Sequence, residues 1–311
     1  MDKTLPFPSP FPPDLRTAGL FAASGRAEPE RLAAGIAQLK AWGLHVAAGP
    51  HLAARHRTLA GTDAERLTDF TDLLVNPHVD VLLAARGGYG GARLLDRLDP
   101  ALLARYPKPL LGYSDVTILH LARFRAGVAS GLSGPLAAVE FARPPANDAE
   151  ADALCFTLHS LHAAWLPQEH VGLPPGTRLE TVKPGHAAGP VVPVNLTVLM
   201  SLLGTPYFPE LAGTLLVIED VNEPAYSIDR DLNHLRQAGI LQRLAGLIIG
   251  RFTNVDEPEW LPEIFAEFAE AVPGPVVSGL PYGHLLPMVT VPVGREGLLD
   301  AMPGDRVRLA W

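Results

Sequence analysis

The sequence predicts an α/β fold, with a doubly wound open sheet in the N-terminal half and a smaller, strand-rich unit after it. Apolar strand-like segments alternate with amphipathic helix-like segments as far as about residue 134, which is the pattern of βα units in a parallel sheet. One of these segments, VDVLLAARGG (79–88), is an almost continuous apolar run. Such a run is typical of a parallel strand that is covered on both faces.

The N-terminal half contains five predicted strands, at 17–24, 43–49, 79–88, 109–114 and 127–134. Its predicted helices lie at 28–43, 61–77 and 115–127. The second of these helices has the clearest limits. Thr62 and Glu65 form a capping box at its start, and Asn76-Pro77 ends it.

The βα alternation stops after this half, and we expect three parts: an N-terminal domain (1–145), a connection (146–187) and a C-terminal domain (188–311). The connection contains one helical pattern, at about 148–165, and then a loop-like segment. The C-terminal part has its clearest strands at 213–220, 244–252 and 275–284. A helix at 227–239 begins with Ser227 as its cap and ends at Gly239. Its apolar face consists of Ile228, Leu232 and Leu235.

The overall composition excludes several classes of protein. Hydrophobic residues make up 48% and charged residues 19% of the 311-residue chain, which indicates a globular protein. The net charge is −8 and the basic residues are scattered, so we expect no nucleic-acid partner. The apolar runs are too short for a signal peptide or a membrane span, and we expect a soluble cytoplasmic protein.

No cofactor and no metal site are expected. Cys155 is the single cysteine, which excludes an internal disulfide and a cysteine-based zinc site, and its apolar surroundings indicate a buried structural thiol. His159 and His162 are three residues apart on a helix and could face one metal ion, but no third ligand is evident. A solvated helix face is the favoured interpretation.

Three predicted strands end on polar side chains, Ser114 in GYSD, Glu219 in LLVIED and His284 in GLPYGH. Ligands of open α/β sheets bind at the carboxyl ends of strands. A serine hydroxyl needs an imidazole to take its proton, and a carboxylate holds the imidazole in the correct tautomer. A nucleophile elbow would have a second glycine at position 116, where this chain has Val116. Eleven histidines and 33 carboxylates also permit a chance grouping.

A glycine-rich turn, ARGGYGGARLLDRLD (85–99), follows the buried strand. Its backbone N–H groups could bind a phosphate or a developing oxyanion. The segment does not match G-x-G-x-x-G and lacks the lysine of a P-loop, which makes a nucleotide site the weaker interpretation. A tight turn that requires positive φ explains the glycines equally well.

Four motifs in this order, ARGGYG with GYSD, IEDVNEPAYSIDR and GLPYGH, resemble the LD-carboxypeptidase family of serine peptidases. The resemblance extends from about residue 17 to the C-terminus. It implies a flavodoxin-like N-terminal domain, similar to class I glutamine amidotransferases, and a smaller β-rich α/β C-terminal domain. It also implies metal-independent hydrolysis of the L,D-peptide bond that precedes the terminal D-alanine of murein tetrapeptides, during cell-wall recycling in the cytoplasm.

Carried over to this chain, the resemblance implies a catalytic triad of Ser114, Glu219 and His284. The nucleophile would come from the first domain, and the base and its orienting acid from the second, with the substrate in the cleft between them. The backbone N–H groups of Asp115 and Gly88 are the expected oxyanion hole. The carboxylate of Asp115, at a helix start, also favours the helix dipole without any catalytic role.

An exopeptidase must also recognise a free carboxylate. Arg86 and Arg230 are candidates because a guanidinium binds a carboxylate in a bidentate manner, although Arg230 could simply pair within its own helix. Tyr89 is a candidate for shaping the substrate pocket, with aromatic packing as an equal alternative.

The chain departs from the family pattern at Pro193-Val194 before Asn195, at Ser133 and Leu136 near GLSGP, and at Ala22-Ala23 before Ser24-Gly25. The first two departures could alter substrate fit. Two other functions stay open: a self-immunity peptidase that cleaves acyl-aspartyl or acyl-glutamyl nucleotide antibiotics, and a non-catalytic two-domain ligand-binding protein. The resemblance also suggests a homodimer.

Overall fold

The computed structural model describes residues 4–304 and 306–311 and contains two β-sheets. The first sheet has six strands: β1 (Thr17–Phe21), β2 (His45–Ala48), β3 (Val81–Ala84), β4 (Leu110–Leu111), β5 (Gly131–Ser133) and β11 (Val291–Val293). The first five confirm the strands predicted in the N-terminal half, although each is shorter than predicted.

The strand order of this sheet is β11-β5-β4-β3-β1-β2. Strands β1 to β5 pair in parallel. Strand β11 comes from near the end of the chain and pairs antiparallel with β5. Because all five parallel strands have their carboxyl ends at one edge, the segments that follow β3 and β4 meet there.

Five helices belong to the first half and the segment after it: α1 (Pro29–Ala41), α2 (Asp63–Val75), α3 (Pro100–Arg105), α4 (Thr117–Arg125) and α5 (Asp148–Ala164). The predicted capping box of α2 is present. The Thr62 N–H donates to Glu65 Oε2 at 2.7 Å, and the Glu65 N–H donates to Thr62 Oγ1 at 3.3 Å. Two N–H groups that lack partners within the helix are satisfied in this way.

We expect Thr62→Ala to lower the free energy of unfolding by about 1 kcal/mol, because the helix loses its side-chain cap. Equilibrium denaturant unfolding measures this change. Thr68→Ala, at an exposed position of the same helix, is the matched control and should change stability by less than about 0.5 kcal/mol. Equal stability of the two variants would contradict the capping role.

The second sheet has seven strands: β6 (Glu180–Lys183), β7 (Gly185–Asn195), β8 (Leu215–Val221), β9 (Gly246–Thr253), β10 (Val276–Ser278), β12 (Glu296–Met302) and β13 (Arg306–Ala310). Their order is β13-β12-β7-β8-β9-β10-β6. Strands β7 to β10 are parallel, and β6, β12 and β13 add antiparallel edges.

The loop predicted after residue 165 is wrong in its last part, because 180–183 and 185–195 are strands. Both segments carry polar residues, glycine or proline, which conceal the alternating pattern of a strand. They are held by pairing with β10 and β12. The two predicted boundaries, after residues 145 and 187, stay a prediction.

Three helices flank the second sheet: α6 (Leu196–Met200), α7 (Ala225–Gln237) and α8 (Leu261–Ala269). The predicted apolar face of α7, which consists of Ile228, Leu232 and Leu235, is buried. The predicted Ser227 cap is wrong. The helix starts two residues earlier with Pro224 as the N-cap, because the fixed φ of proline suits a helix start.

One hydrophobic cluster extends across both sheets, and the other buried apolar residues form two further clusters. Buried side chains of the first sheet, such as Leu82 and Leu110, belong to the same cluster as Val194 and Ile218 of the second. This continuous packing holds the carboxyl ends of β4 and β8 close enough for side chains to meet. No helix in the described part of the chain is long and apolar enough to cross a bilayer.

Candidate active site

Ser114 lies at a sharp strand-to-helix turn. It follows β4 after two residues and begins a short 3-10 turn that continues into α4. Its φ of 65° lies in the left-handed region, which is uncommon for a residue other than glycine. Such strain is typical of a nucleophile elbow, which exposes the hydroxyl at the sheet edge. Val116 in place of a glycine does not prevent this geometry.

The structure brings together the three side chains that the sequence singled out at strand ends. His284 Nε2 lies 3.0 Å from Ser114 Oγ, and His284 Nδ1 lies 2.8 Å from Glu219 Oε2. Ser114 comes from the edge of the first sheet, whereas Glu219 is on β8 and His284 follows β10 in the second. The three form one hydrogen-bonded chain in the order expected for nucleophile, base and orienting acid.

Gly283 permits the close approach of His284 to Glu219. Its φ is 131°, and a Cβ at this position would lie 2.9 Å from Glu219 Oε2. Any larger residue would therefore press on the carboxylate that holds the imidazole. A steric requirement therefore explains the glycine in GLPYGH, and the sequence alone does not reveal this requirement.

Glu219 is fully buried, and its carboxylate has two donors. Asn195 Nδ2 donates to Oε1 at 3.1 Å, while Oε2 accepts from the His284 ring. The same amide donates to Asp220 Oδ1 at 2.9 Å, and Asn195 Oδ1 caps α6 by accepting from the Val198 N–H. Asn195 is thus a site residue that the sequence analysis mentioned only as a neighbour of a family departure.

The pKa values of the pair follow from burial and contact. Burial raises the pKa of Glu219, and the His284 contact opposes this effect. Burial lowers the pKa of His284, but the hydrogen bond and charge of Glu219, together with the charges of Glu140 and Asp220, outweigh it. The pKa of His284 is therefore raised above its usual value. A raised pKa means that the ring accepts a proton readily.

The glycine-rich turn packs directly against Ser114. A Cβ on Gly87 would lie 2.6 Å from both Cβ and Oγ of Ser114. Gly88 and Gly90 have φ values of 107° and 125°, so the tight-turn explanation also applies to these two positions. The segment therefore uses glycine for two reasons, backbone conformation and close approach.

Two buried charged residues hold the turn in place. Arg66 Nη1 donates to the Gly90 carbonyl at 2.9 Å, and Asp115 Oδ2 accepts from the Gly91 N–H at 2.7 Å. Burial raises the pKa of Asp115. The Asp115 side chain thus fastens the glycine turn to the residue after Ser114, which is a more specific role than stabilising a helix dipole.

We expect Gly87→Ala to reduce kcat by about two orders of magnitude or more, because the new methyl group would displace the Ser114 hydroxyl from the His284 ring. Steady-state kinetics, with circular dichroism to verify folding, measures the effect. Gly172→Ala is the matched control because a Cβ there meets no atom within 4 Å. Equal kcat values for the two variants would contradict the steric argument.

A cavity of about 540 Å³ opens over Ser114 and His284. Gly87, Gly88 and Arg86 of the glycine turn contribute to its wall, as does Arg31 of α1. An adjoining cavity of about 730 Å³ shares Arg31, Tyr113 and His284 with it. The two cavities therefore adjoin at the His284 ring.

Of the three predicted substrate-binding residues, one lines the cavity over Ser114 and two do not. Arg86 lines the first cavity, and its Nη1 donates to the Arg26 carbonyl at 3.0 Å. Tyr89 and Arg230 are largely exposed and are not among the described residues that line either cavity; Arg230 lies over the Tyr226 ring. Arg31 is a second cation of the cleft, and the sequence analysis missed it because it looks like an ordinary exposed residue of an amphipathic helix.

Cys155, His159 and His162 lie together, away from the triad. Cys155 Sγ is 3.6 Å from His159 Nδ1, and all three line a small groove beside residues 7–10. Cys155 is only partly buried, so the expected buried thiol is wrong. Among the described residues there is no group of three or more histidine, cysteine, aspartate or glutamate side chains arranged to hold a metal ion.

Comparison with known proteins identifies the family. Residues 18–134 match the model of the LD-carboxypeptidase N-terminal domain, and residues 188–299 match that of the LD-carboxypeptidase C-terminal domain. The murein tetrapeptide carboxypeptidase of Pseudomonas aeruginosa is 33% identical over 96% of this chain and 96% of its own length.

Solved structures of the same fold are similar over nearly the whole chain. The muramoyltetrapeptide carboxypeptidase from Oxalobacter formigenes has a TM-score of 0.79 at 28% identity, over 94% of this chain and 97% of the other. MccF in complex with glutamyl sulfamoyl guanosine has a TM-score of 0.85 at 22% identity, over 98% and 97% of the two chains. The chain therefore belongs to the LD-carboxypeptidase family.

Proposed function

We propose that this protein is a metal-independent serine peptidase that releases the terminal D-alanine of murein tetrapeptide by hydrolysing an L,D-peptide bond. The observation that carries the proposal is the hydrogen-bonded chain of Ser114, His284 and Glu219, with 3.0 and 2.8 Å between the heavy atoms. The relatives named for murein peptides support the choice of substrate.

The proposed reaction begins when Ser114 Oγ attacks the carbonyl carbon that precedes D-alanine. His284 Nε2 takes the hydroxyl proton, and the carbonyl oxygen becomes an oxyanion. His284 then gives this proton to the nitrogen of the leaving D-alanine as the C–N bond breaks. In the second half, water attacks the acyl-serine and loses a proton to His284. His284 returns this proton to Ser114 Oγ as the acyl C–O bond breaks, and the shortened peptide leaves with a carboxylate.

Glu219 stays ionised in this scheme and orients the ring. Its Oε2 accepts from His284 Nδ1, which leaves the lone pair of Nε2 directed toward Ser114. The N–H groups of Gly88 and Asp115 are the proposed oxyanion donors. The closeness of Gly87 to Ser114 supports a role for this turn.

Arg86 is the proposed partner of the substrate's free carboxylate, because its side chain lines the cavity that holds Ser114. Arg31 is a second cation on the same wall. Guanidinium groups bind carboxylates through two parallel hydrogen bonds. Tyr89 and Arg230 keep their proposed substrate-binding roles only if the cleft closes over the substrate.

Three further features rest mainly on the family resemblance. The first sheet is proposed to be flavodoxin-like, and the order β2-β1-β3-β4-β5 supports this assignment. Cytoplasmic location and a homodimer are proposed from the resemblance alone.

The decisive experiment incubates the purified protein with murein tetrapeptide and measures released D-alanine by mass spectrometry. The peptide ending in L-alanine is the stereochemical control, and the peptide ending in a C-terminal amide tests recognition of the carboxylate. An acyl-aspartyl adenylate, assayed in parallel, tests the self-immunity activity. Release of D-alanine only from the natural peptide supports the proposal, whereas cleavage of the adenylate alone would assign the other function.

A further inference from the structure

Glu140 is a buried carboxylate beside the active site that the proposed reaction does not use. It lies in the turn after β5 and is 8% exposed. Its Oε1 accepts from the Tyr113 hydroxyl at 2.9 Å, and its Oε2 accepts from the Leu136 N–H at 2.8 Å. Burial of a carboxylate costs free energy unless hydrogen-bond donors of this kind compensate it. We therefore asked what a buried carboxylate contributes at a position so close to Ser114 and His284.

Tyr113 connects this carboxylate to the catalytic histidine. It precedes Ser114 in the chain, and its ring contacts the His284 ring edge-on, with 4.8 Å between centroids and 61° between planes. The hydroxyl of the same tyrosine is held by Glu140. The Tyr113 side chain therefore joins Glu140 to the His284 ring.

The hydrogen-bond pattern favours the ionised form of Glu140. Both carboxylate oxygens act as acceptors, and burial raises the pKa of Tyr113 well above its usual value, so that the phenol remains a donor. Burial raises the pKa of Glu140 above its ordinary value, and its hydrogen-bond donors and the charge of His284 oppose this effect only in part. A protonated Glu140 would keep both contacts only by leaving its own proton unpaired or by donating it to the Tyr113 oxygen, which would leave the phenol proton without this acceptor.

We propose that Glu140 is a positioning residue of the catalytic centre, which acts through Tyr113 to fix the His284 ring and stabilises its protonated form by charge. The catalytic consequence rests on the proposed function, but the effect on His284 exists in the resting protein. During acyl transfer His284 must carry a proton twice, and a second negative charge nearby favours that intermediate state.

The groups that face His284 come from several elements. Glu219 and Asp220 are on β8, Tyr113 and Ser114 follow β4, and Glu140 follows β5. The cleft into which the ring opens is lined by both signs of charge: Arg31, Arg86 and Arg143 oppose the carboxylates, whereas Glu28 and Glu150 add to them. Glu219 makes the direct contact and has the larger effect, whereas Glu140 adds a smaller one through space.

The test is an NMR titration of His284 in the protein without substrate, with its resonance identified by its loss in His284→Gln. We expect Glu140→Gln to lower the titration midpoint of His284 by about half a pH unit or more, because the nearby charge is removed. Tyr113→Phe keeps the ring against His284 but releases the carboxylate. It should lower the midpoint as well, by a smaller amount.

Asp69→Asn is the matched control. Asp69 is another buried carboxylate, 2% exposed, which binds His51 at 2.8 Å in the first domain. The Asp69→Asn variant should be less stable than the wild type, but the NMR titration midpoint of its His284 should be unchanged. A His284 midpoint that is unchanged in folded Glu140→Gln, or in Tyr113→Phe if the first variant does not fold, would overturn the proposal.

Kinetics separates this inference from the proposed function. If murein tetrapeptide is the substrate, the acid limb of kcat/KM should shift downward in Glu140→Gln together with the NMR midpoint, and kcat should fall about tenfold with little change in KM. If the wild-type protein does not cleave the peptide, the proposed function fails. The titration then still decides whether Glu140 acts on His284.

Discussion

Ser114→Ala is expected to reduce D-alanine release by about four orders of magnitude while the protein remains folded. The hydroxyl supplies the attacking oxygen, and among the described residues it is the side-chain group that is hydrogen-bonded to His284 Nε2. Any residual rate would come from oxyanion stabilisation and binding alone. The measurement is kcat/KM on murein tetrapeptide, with thermal unfolding as the check on folding.

The matched control is Ser201→Ala, which removes an exposed serine hydroxyl elsewhere in the chain and should leave kcat/KM unchanged. The double variant Ser114→Ala/His284→Ala should be no slower than Ser114→Ala by more than a small factor, because the two groups act as a unit. A fluorophosphonate that labels the wild type but not Ser114→Ala would also exclude a non-catalytic binding protein. Near-normal hydrolysis by Ser114→Ala would show that the nucleophile is another group.

The grouping of Ser114, Glu219 and His284 could be anticipated from the sequence because each follows an apolar run and because the family resemblance implied these three residues. Ser114 and His284 follow the strands β4 and β10, Glu219 lies near the end of β8, and the carboxyl ends of parallel strands are where ligands bind. The pattern of apolar runs does not predict that side chains of the two sheets contact each other. The 3.0 Å distance from Ser114 to His284 depends on a core shared by both halves and on β11, which returns to the first sheet.

The supporting residues could not be predicted because their signals are those of ordinary structure. Asn195 looks like a helix cap and Glu140 like a turn carboxylate, and both roles are real in the structure. Their additional contacts with Glu219 and Tyr113 depend on three-dimensional proximity that no spacing encodes. Similarly, Gly87 could be recognised as part of a turn but not as the residue that makes space for the Ser114 side chain.

Local features were easier to predict than strand pairing, because strand pairing depends on residues that are distant in the sequence. The capping box of α2 involves residues three apart and was predicted correctly. Strand β6, in contrast, contains a glutamate, a threonine and a lysine, and is a strand because β10 lies next to it. Sequence patterns describe burial and local hydrogen bonds, whereas edge strands depend on a partner that is distant in the chain.

Glu219→Gln is expected to lower kcat by about three orders of magnitude. The two oxygens of Glu219 each accept a hydrogen bond, one from Asn195 and one from His284, but a glutamine has only one acceptor oxygen. Either Asn195 or His284 must then face an NH2 group. If it is His284, the imidazole turns to the tautomer whose Nε2 carries a proton and cannot accept one from Ser114.

The pH profile gives this variant a signature that a loss of stability would not produce. In the wild type the pKa of His284 is raised despite burial, so the acid limb of kcat/KM should lie above the ordinary histidine value of about 6.5. When the Glu219 charge is removed, burial of the ring becomes the larger influence on the pKa of His284. Burial lowers this pKa because it disfavours the protonated imidazole. The acid limb of Glu219→Gln should therefore move to lower pH although kcat falls. A wild-type limb below 6.5, or a limb in Glu219→Gln that does not move, would mean that Glu219 does not control the charge of His284.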